Sequence, residues 1–165
     1  MDKQEIYKLA VNTRQLEIQL FWQRSNYFMV LNTAIAVGFF ALKTPPYDPV
    51  LAGLGAPVLA ALGAAVSVLW FLINLGGKFW QVFWEEAAAR LERECCPEAR
   101  LFAASTEFIR QEVENGLLNN GDGRFREWLD TLILKKPSVS HLMTFLSFIF
   151  MLFWAGAFTL SILTK

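Results

Sequence analysis

The stretch LMTFLSFIFMLFWAGAFTLSIL at residues 142–163 carries no charged side chain and decides the fold. Two further apolar stretches lie at 27–42 and 50–75. A helix of about 20 apolar residues, rising about 1.5 Å per residue, spans a bilayer core of roughly 30 Å. We therefore predict an all-α integral membrane protein with three transmembrane helices and a helical cytoplasmic insert between the second and the third.

The composition supports this fold class. Of the 165 residues, 18% are charged, against about 25% in an ordinary soluble domain. Fifteen Lys and Arg balance fifteen Asp and Glu, so there is no basic excess to bind nucleic acid. Residues 1–23 are dense in charge and contain no short apolar core with a cleavage site, so we expect the first span to remain in the mature protein.

The alternation of charged and apolar stretches divides the chain into four segments. We predict an N-terminal amphipathic cytoplasmic helix at 1–24 that runs into the first span, a transmembrane hairpin at 25–76, a cytoplasmic helical insert at 77–140 and a third transmembrane helix at 141–165. The hairpin loop, KTPPYDP at 43–49, contains three prolines that stop a helix and make the first two spans antiparallel.

The insert is predicted to be helical in three parts. EEAAARLERE at 85–94 predicts a helix that continues from the second span, and Cys95-Cys96-Pro97 ends it. Its charged face is either solvated, which is favoured, or contacts another subunit. Further helices are expected at 98–114 and 124–136, with a turn at 119–123 between them.

The distribution of Lys and Arg predicts the orientation. These residues concentrate before the first span and in the insert, whereas the hairpin loop has only Lys43 and the C-terminal tail only Lys165. Because cytoplasmic flanks are enriched in Lys and Arg, we expect the N-terminus and the insert in the cytoplasm and the C-terminus outside. A re-entrant third span would instead return the C-terminus to the cytoplasm.

Two sets of residues in the spans are candidates for helix contacts. The second span has a small-residue face that lets helix backbones approach closely, and it seats either a span of the same chain or another subunit; its members are Ala52, Ala56, Ala60, Gly63, Ala64 and Ser67. Asn32, Thr33 and Asn74 either bond between helices or line a narrow pore, and the first interpretation is favoured.

Two further features limit the function. An aromatic belt after the second span is typical of a membrane–water interface, and it consists of Phe79, Trp80, Phe83 and Trp84. The apolar stretches lack the buried charges that carriers use. A metal site would need more histidines or cysteines than the chain has, since it contains one histidine, His141, and two cysteines, Cys95 and Cys96. We therefore expect no catalytic residues, no metal site and no cofactor, and hence no enzyme.

Two stretches resemble a known family. LEIQLFWQRSNYFMVLNTAIAVGFF at 16–40 and KKPSVSHLMTFLSFIF at 135–150 are similar to bacterial proteins described as the RipA family of octameric membrane proteins. The resemblance implies a small inner-membrane protein that assembles as a closed ring of identical subunits. It implies no catalytic residue.

These observations lead to two functional hypotheses. The first is a non-enzymatic homo-oligomeric ring in the bacterial inner membrane, an octamer by the resemblance. It would contact membrane lipid and act as a scaffold or as a docking platform for an unidentified cytoplasmic protein. The alternative is an oligomeric channel or membrane-perturbing effector, in stress or phage defence, gated by the cytoplasmic insert.

Overall fold

The described residues of a computed structural model are 2–44, 49–118, 131–135 and 138–163. Within them the chain is helical and contains no strand, which confirms the all-α prediction. The long helices are α1 (Lys3–Ala41), α2 (Pro49–Cys95), α3 (Thr106–Leu118) and α4 (Val139–Leu163), and residues 131–134 are also helical. The predicted turn at 119–123, and the helix predicted at 124–136 apart from 131–135, lie outside the described residues.

Two helices are much longer than an ordinary helix. α1 has 39 residues, so the charged N-terminal segment and the first apolar stretch form one helix, as predicted. α2 has 47 residues and continues through Pro57 and through Gly76-Gly77. It ends at Cys95, two residues before Pro97, because proline cannot continue the hydrogen-bond ladder.

The second insert helix, predicted at 98–114, was placed wrongly at its start. α3 begins only at Thr106, and Ser105 caps it by accepting a hydrogen bond from the amide of Phe108 at 3.2 Å. Residues 100–103 cannot be helical, because Arg100 has a φ of 45° and the amides of 101–103 donate to the side chain of Glu92.

The chain forms two compact units. Unit 1 consists of Met1–Leu16 and Trp80–Val139, and unit 2 consists of Glu17–Phe79 and Ser140–Lys165. α1 and α2 therefore contribute residues to both units, whereas α3 belongs to unit 1 and α4, after its first residue, to unit 2.

The core of unit 2 is built where α4 meets the small residues of α2. Trp154 is fully buried and packs edge-on against Phe39, with ring centroids 5.7 Å apart. Gly63 lies directly beneath its indole, where a Cβ would overlap the ring. The remaining buried members of this core are Ile35, Ala56, Ala60 and Val66. A large ring and a glycine are thus matched across the α2–α4 contact.

Two of the described helices, α2 and α4, are long and apolar enough to cross a membrane. Only 33% and 17% of their most apolar windows are buried within the chain, so neither resembles the core helix of a soluble protein. α1 does not meet the same standard, because Asn32 and Thr33 interrupt its apolar part and the helix ends at Ala41.

The Gly63–Trp154 contact predicts that a larger residue at position 63 destabilises the protein. We expect Gly63→Ala to lower the free energy of unfolding by about 1–3 kcal/mol, because the added methyl displaces a fully buried indole. The matched control is Gly76→Ala in the same helix, where a Cβ meets no atom within 4 Å. This change should stabilise by about 0.5–1 kcal/mol, the usual gain of alanine over glycine in a helix. Thermal unfolding in mild detergent measures both, and equal stability of the two variants would contradict the packing described.

Candidate functional site

The first buried polar group of unit 2 is the amide of Asn32, on α1, which is fully buried. Its Oδ1 accepts hydrogen bonds from Ser67 Oγ on α2 and from Trp154 Nε1 on α4, both at 2.9 Å. Its Nδ2 donates to the Phe28 carbonyl at 3.0 Å. One side chain therefore joins three helices, and its polar atoms are satisfied without water.

A second polar group, the amide of Asn74 on α2, joins the same helices. Its Nδ2 donates to the Met143 carbonyl at 3.2 Å and to Ser147 Oγ at 3.4 Å, both on α4. Its Oδ1 accepts from Ser25 Oγ on α1 at 3.5 Å. These longer distances make this second set of bonds weaker than the first.

The structure separates the three candidate polar residues. Asn32 and Asn74 bond to neighbouring helices, which favours the packing interpretation over a pore within one subunit. Thr33 is exposed and donates to the Met29 carbonyl of its own helix at 2.9 Å, so it joins no other element.

The small-residue face of α2 is largely covered by the chain itself. Ala56, Ala60 and Ser67 are at most 1% exposed, and Gly63 is buried beneath Trp154. Ala64 is half-buried and packs against the same core. The side chain of Ala52 lies outside the described residues. In the structure this face therefore contacts helices of its own chain, which is the first of the two predicted alternatives.

The aromatic belt is mostly exposed. Phe79 is about two-thirds exposed, Trp80 and Phe83 are about half exposed, and Trp84 is less exposed. In unit 1, the Phe83 ring packs edge-on against Trp80 and Trp84, with centroids 5.8 and 5.1 Å apart. Exposed aromatic rings suit a membrane–water interface, and their assignment to one stays a prediction.

One buried donor in unit 2 lacks a partner. Trp70 is fully buried and stacks on Phe28, with ring centroids 6.3 Å apart. Its Nε1 has no hydrogen-bond acceptor in the described part of the chain. An unsatisfied buried N–H costs about 1–3 kcal/mol, so this tryptophan is held by packing alone. Nothing in the sequence distinguishes it from Trp154.

Unit 1 contains a buried carboxylate, Glu92, near the end of α2. Oε1 accepts hydrogen bonds from the amide of Leu101 at 2.9 Å and from the Tyr7 hydroxyl at 3.2 Å. Oε2 accepts from the amides of Phe102 and Ala103 at 2.8 and 2.7 Å. The carboxylate thus holds a loop and α1 against α2. The helical pattern of 85–94 does not set Glu92 apart from the other glutamates there.

Electrostatics keep Glu92 ionised. Burial raises its pKa, but the three backbone amides and Tyr7 together outweigh burial, and the net pKa of Glu92 lies below its ordinary value of 4.5. Burial first, and then the neighbouring carboxylate, raise the pKa of the Tyr7 phenol, which remains a donor. Glu92 is therefore a carboxylate anion whose four hydrogen bonds hold the surrounding chain.

Two further contacts hold the same part of unit 1. Arg14 Nη2 donates to Glu85 Oε1 at 2.9 Å, and its guanidinium carbon lies 5.2 Å from the centre of the Phe102 ring.

Burial raises the pKa of the Cys95 thiol, which keeps it protonated and poorly nucleophilic. In the part of the chain that the structure describes, no three metal-ligating side chains cluster.

Apolar helices that are mostly unburied, joined by polar groups that bond only inward, define an α-helical integral membrane protein. The model of the Octameric membrane protein family (8xMP) matches residues 4–163, and the chain belongs to this family. The match confirms the resemblance of 16–40 and 135–150 and extends it over nearly the whole chain. A search of curated proteins and a search of solved structures each gave no match.

The two buried tryptophans predict unequal responses to the same substitution. Trp154→Phe removes a donor to Asn32 Oδ1, whereas Trp70→Phe removes a donor without a partner. Because both lose similar ring volume, we expect Trp154→Phe to be less stable than Trp70→Phe by about 1–2 kcal/mol. Thermal unfolding in detergent measures the difference. If Trp70→Phe is the less stable variant, the inward hydrogen bond does not contribute as described.

Glu92 predicts a local and pH-dependent stability. Glu92→Gln should expose the amides of residues 101–103 to exchange about 30- to 100-fold faster, since bonds to a charged acceptor contribute about 2–3 kcal/mol. Glu94→Gln is the matched control, because Glu94 makes only an exposed ion pair with Lys3, at 3.1 Å. Hydrogen-exchange mass spectrometry reports both variants.

The sign of the pH effect follows from the lowered pKa of Glu92. Its contribution is complete above its unfolded value of about 4.5 and is lost as the pH falls through the lower folded value. Protection of 101–103 should therefore fall only in that acidic range in the native protein, and it should not change there in Glu92→Gln. A parallel loss in both proteins would assign the effect to another group.

Proposed function

We propose that this chain is a non-enzymatic subunit of a closed homo-octameric ring in the bacterial inner membrane, acting as a scaffold or docking platform. The observation that carries the proposal is the direction of the polar groups in unit 2. Asn32, Ser67 and Asn74 bond inward, and large apolar side chains cover the outside of α2 and α4. In the described part of unit 2 these buried polar groups bond to one another's helices and do not line a pore, which supports a function that arises between subunits.

The proposed topology has three membrane helices. α2 and α4 supply two, and the apolar part of α1 supplies the first, with its Asn32 amide satisfied by the other two helices. Internal satisfaction lowers the cost of an asparagine in lipid, which supports a span despite the modest hydropathy of α1. The Lys and Arg distribution supports a cytoplasmic N-terminus and insert and an external C-terminus.

Family membership supports the subunit number, and symmetry supports the ring. The family is described as octameric, and identical contacts repeated by a rotation that closes generate a ring. Exposed large side chains on α2 and α4 provide the apolar surface that neighbouring subunits and lipid would cover.

α3 supplies the surface that a docking platform needs. Every residue from Thr106 to Gly116 is exposed, including Phe108, Ile109 and Val113 on an amphipathic helix. A 13-residue helix is marginal by itself in water, so packing of its apolar face against another protein would stabilise it. This supports the docking of a cytoplasmic protein at α3.

Native mass spectrometry together with ion flux tests the proposal against the alternative of a gated channel. The purified protein should have the mass of eight chains, and liposomes that contain it should release a trapped ion no faster than empty liposomes. The physical reason is that the inward polar bonds leave apolar side chains on the subunit surfaces. Gramicidin added to the same liposomes is the positive control. Flux that rises in proportion to the octamer would favour the channel.

A further inference from the structure

An apolar groove opens on unit 2 between the end of α1 and the last turns of α4. Its volume is about 520 Å³, and its lining includes Phe40, Lys43, Phe153, Gly156, Ala157 and Leu160. Apart from Lys43, the members named here are apolar. The groove is separate from the buried amides of Asn32 and Asn74.

The groove exists because α4 has small residues at this level. A Cβ at Gly156 would meet no atom within 4 Å, so the missing side chain leaves open space beside α4. Ala157, the next residue, is also small. The rings of Phe40 and Phe153, with centroids 6.4 Å apart, stand on either side of the α1–α4 contact. An extended hydrocarbon chain fits a trough with this chemistry.

Lys43 gives the groove a charge at one end. It follows the last residue of α1 by two positions and is exposed, and its ammonium makes no ion pair with the residues that the structure describes. A lysine can lay its methylenes along an apolar surface while its ammonium reaches the headgroup level. It is the sole basic residue of the hairpin loop.

We propose that this groove binds a phospholipid with a net anionic headgroup, with an acyl chain beside Gly156 and the phosphate at Lys43. The proposal rests on the topology given above, in which 43–49 lies at the membrane surface. A phospholipid carries both a hydrocarbon chain and an anionic group, which are the two chemistries that the apolar lining and Lys43 would bind.

Native mass spectrometry of the detergent-solubilised full-length protein, titrated with phosphatidylglycerol or phosphatidylcholine, tests the site. The native protein should retain phosphatidylglycerol preferentially. Lys43→Gln should weaken phosphatidylglycerol binding about fivefold, as expected from one lysine at a lipid surface. Gly156→Leu should weaken binding of both lipids about tenfold or more, since the added side chain fills the groove.

Gly76→Leu is the matched control. Gly76 also lies in unit 2 with no atom within 4 Å of an added Cβ, but it does not line the groove. Unchanged lipid binding in this variant, with the losses above, supports the proposal. Equal retention of the two lipids by the native protein, or full retention by Gly156→Leu, overturns it. So does a Gly156→Leu protein that falls apart into smaller species, because the groove would then be a subunit contact.

The same spectra separate this proposal from that of the ring. A native protein with a mass other than eight chains contradicts the octamer, while its lipid adducts still test the groove.

Discussion

The Asn32 amide holds unit 2 together. Oδ1 receives one hydrogen bond from α2 and one from α4, each at 2.9 Å, while the amide itself belongs to α1. The Asn32 amide is fully buried, so rotation of any of the three helices would leave a polar group without its hydrogen-bond partner. The orientation of each helix follows from this requirement. Trp154 turns toward Gly63, whereas other large apolar side chains of α4, such as Leu152 and Leu160, are exposed.

Unit 1 uses the same device with a different chemical group. There a carboxylate, Glu92, receives three amides and a hydroxyl, and holds a loop that would otherwise have unpaired N–H groups. An ionised side chain costs less free energy in that unit, because its predicted environment is aqueous. In the apolar stretches the acceptor is a neutral amide, because a buried carboxylate in lipid is costly. The choice of acceptor thus fits the environment predicted for each unit.

Local features of the sequence predicted much of the fold. The apolar stretches of α2 and α4, the fusion of the N-terminal segment with the first apolar stretch and the helix end at Cys95 depend on neighbouring residues alone. The predicted start of α3 was wrong, because Glu92 accepts hydrogen bonds from amides nine to eleven residues away and these bonds override the helix propensity there. The same limit applies to the site. Asn32 and Asn74 were candidates by residue type, but their partners, and the difference between Trp70 and Trp154, depend on tertiary packing.

The contact between Trp154 and Asn32 also has a consequence for how the protein is made. The residues that it joins are 122 positions apart, so the ribosome completes α1 and α2 long before it reaches Trp154. During that interval the small face of α2 has no ring to cover it, and Asn32 Oδ1 lacks one of its two donors. During synthesis α1 and α2 therefore precede the helix that completes their polar and apolar contacts. Only when α4 packs against α1 and α2 does Asn32 Oδ1 gain its second donor and Gly63 its covering ring.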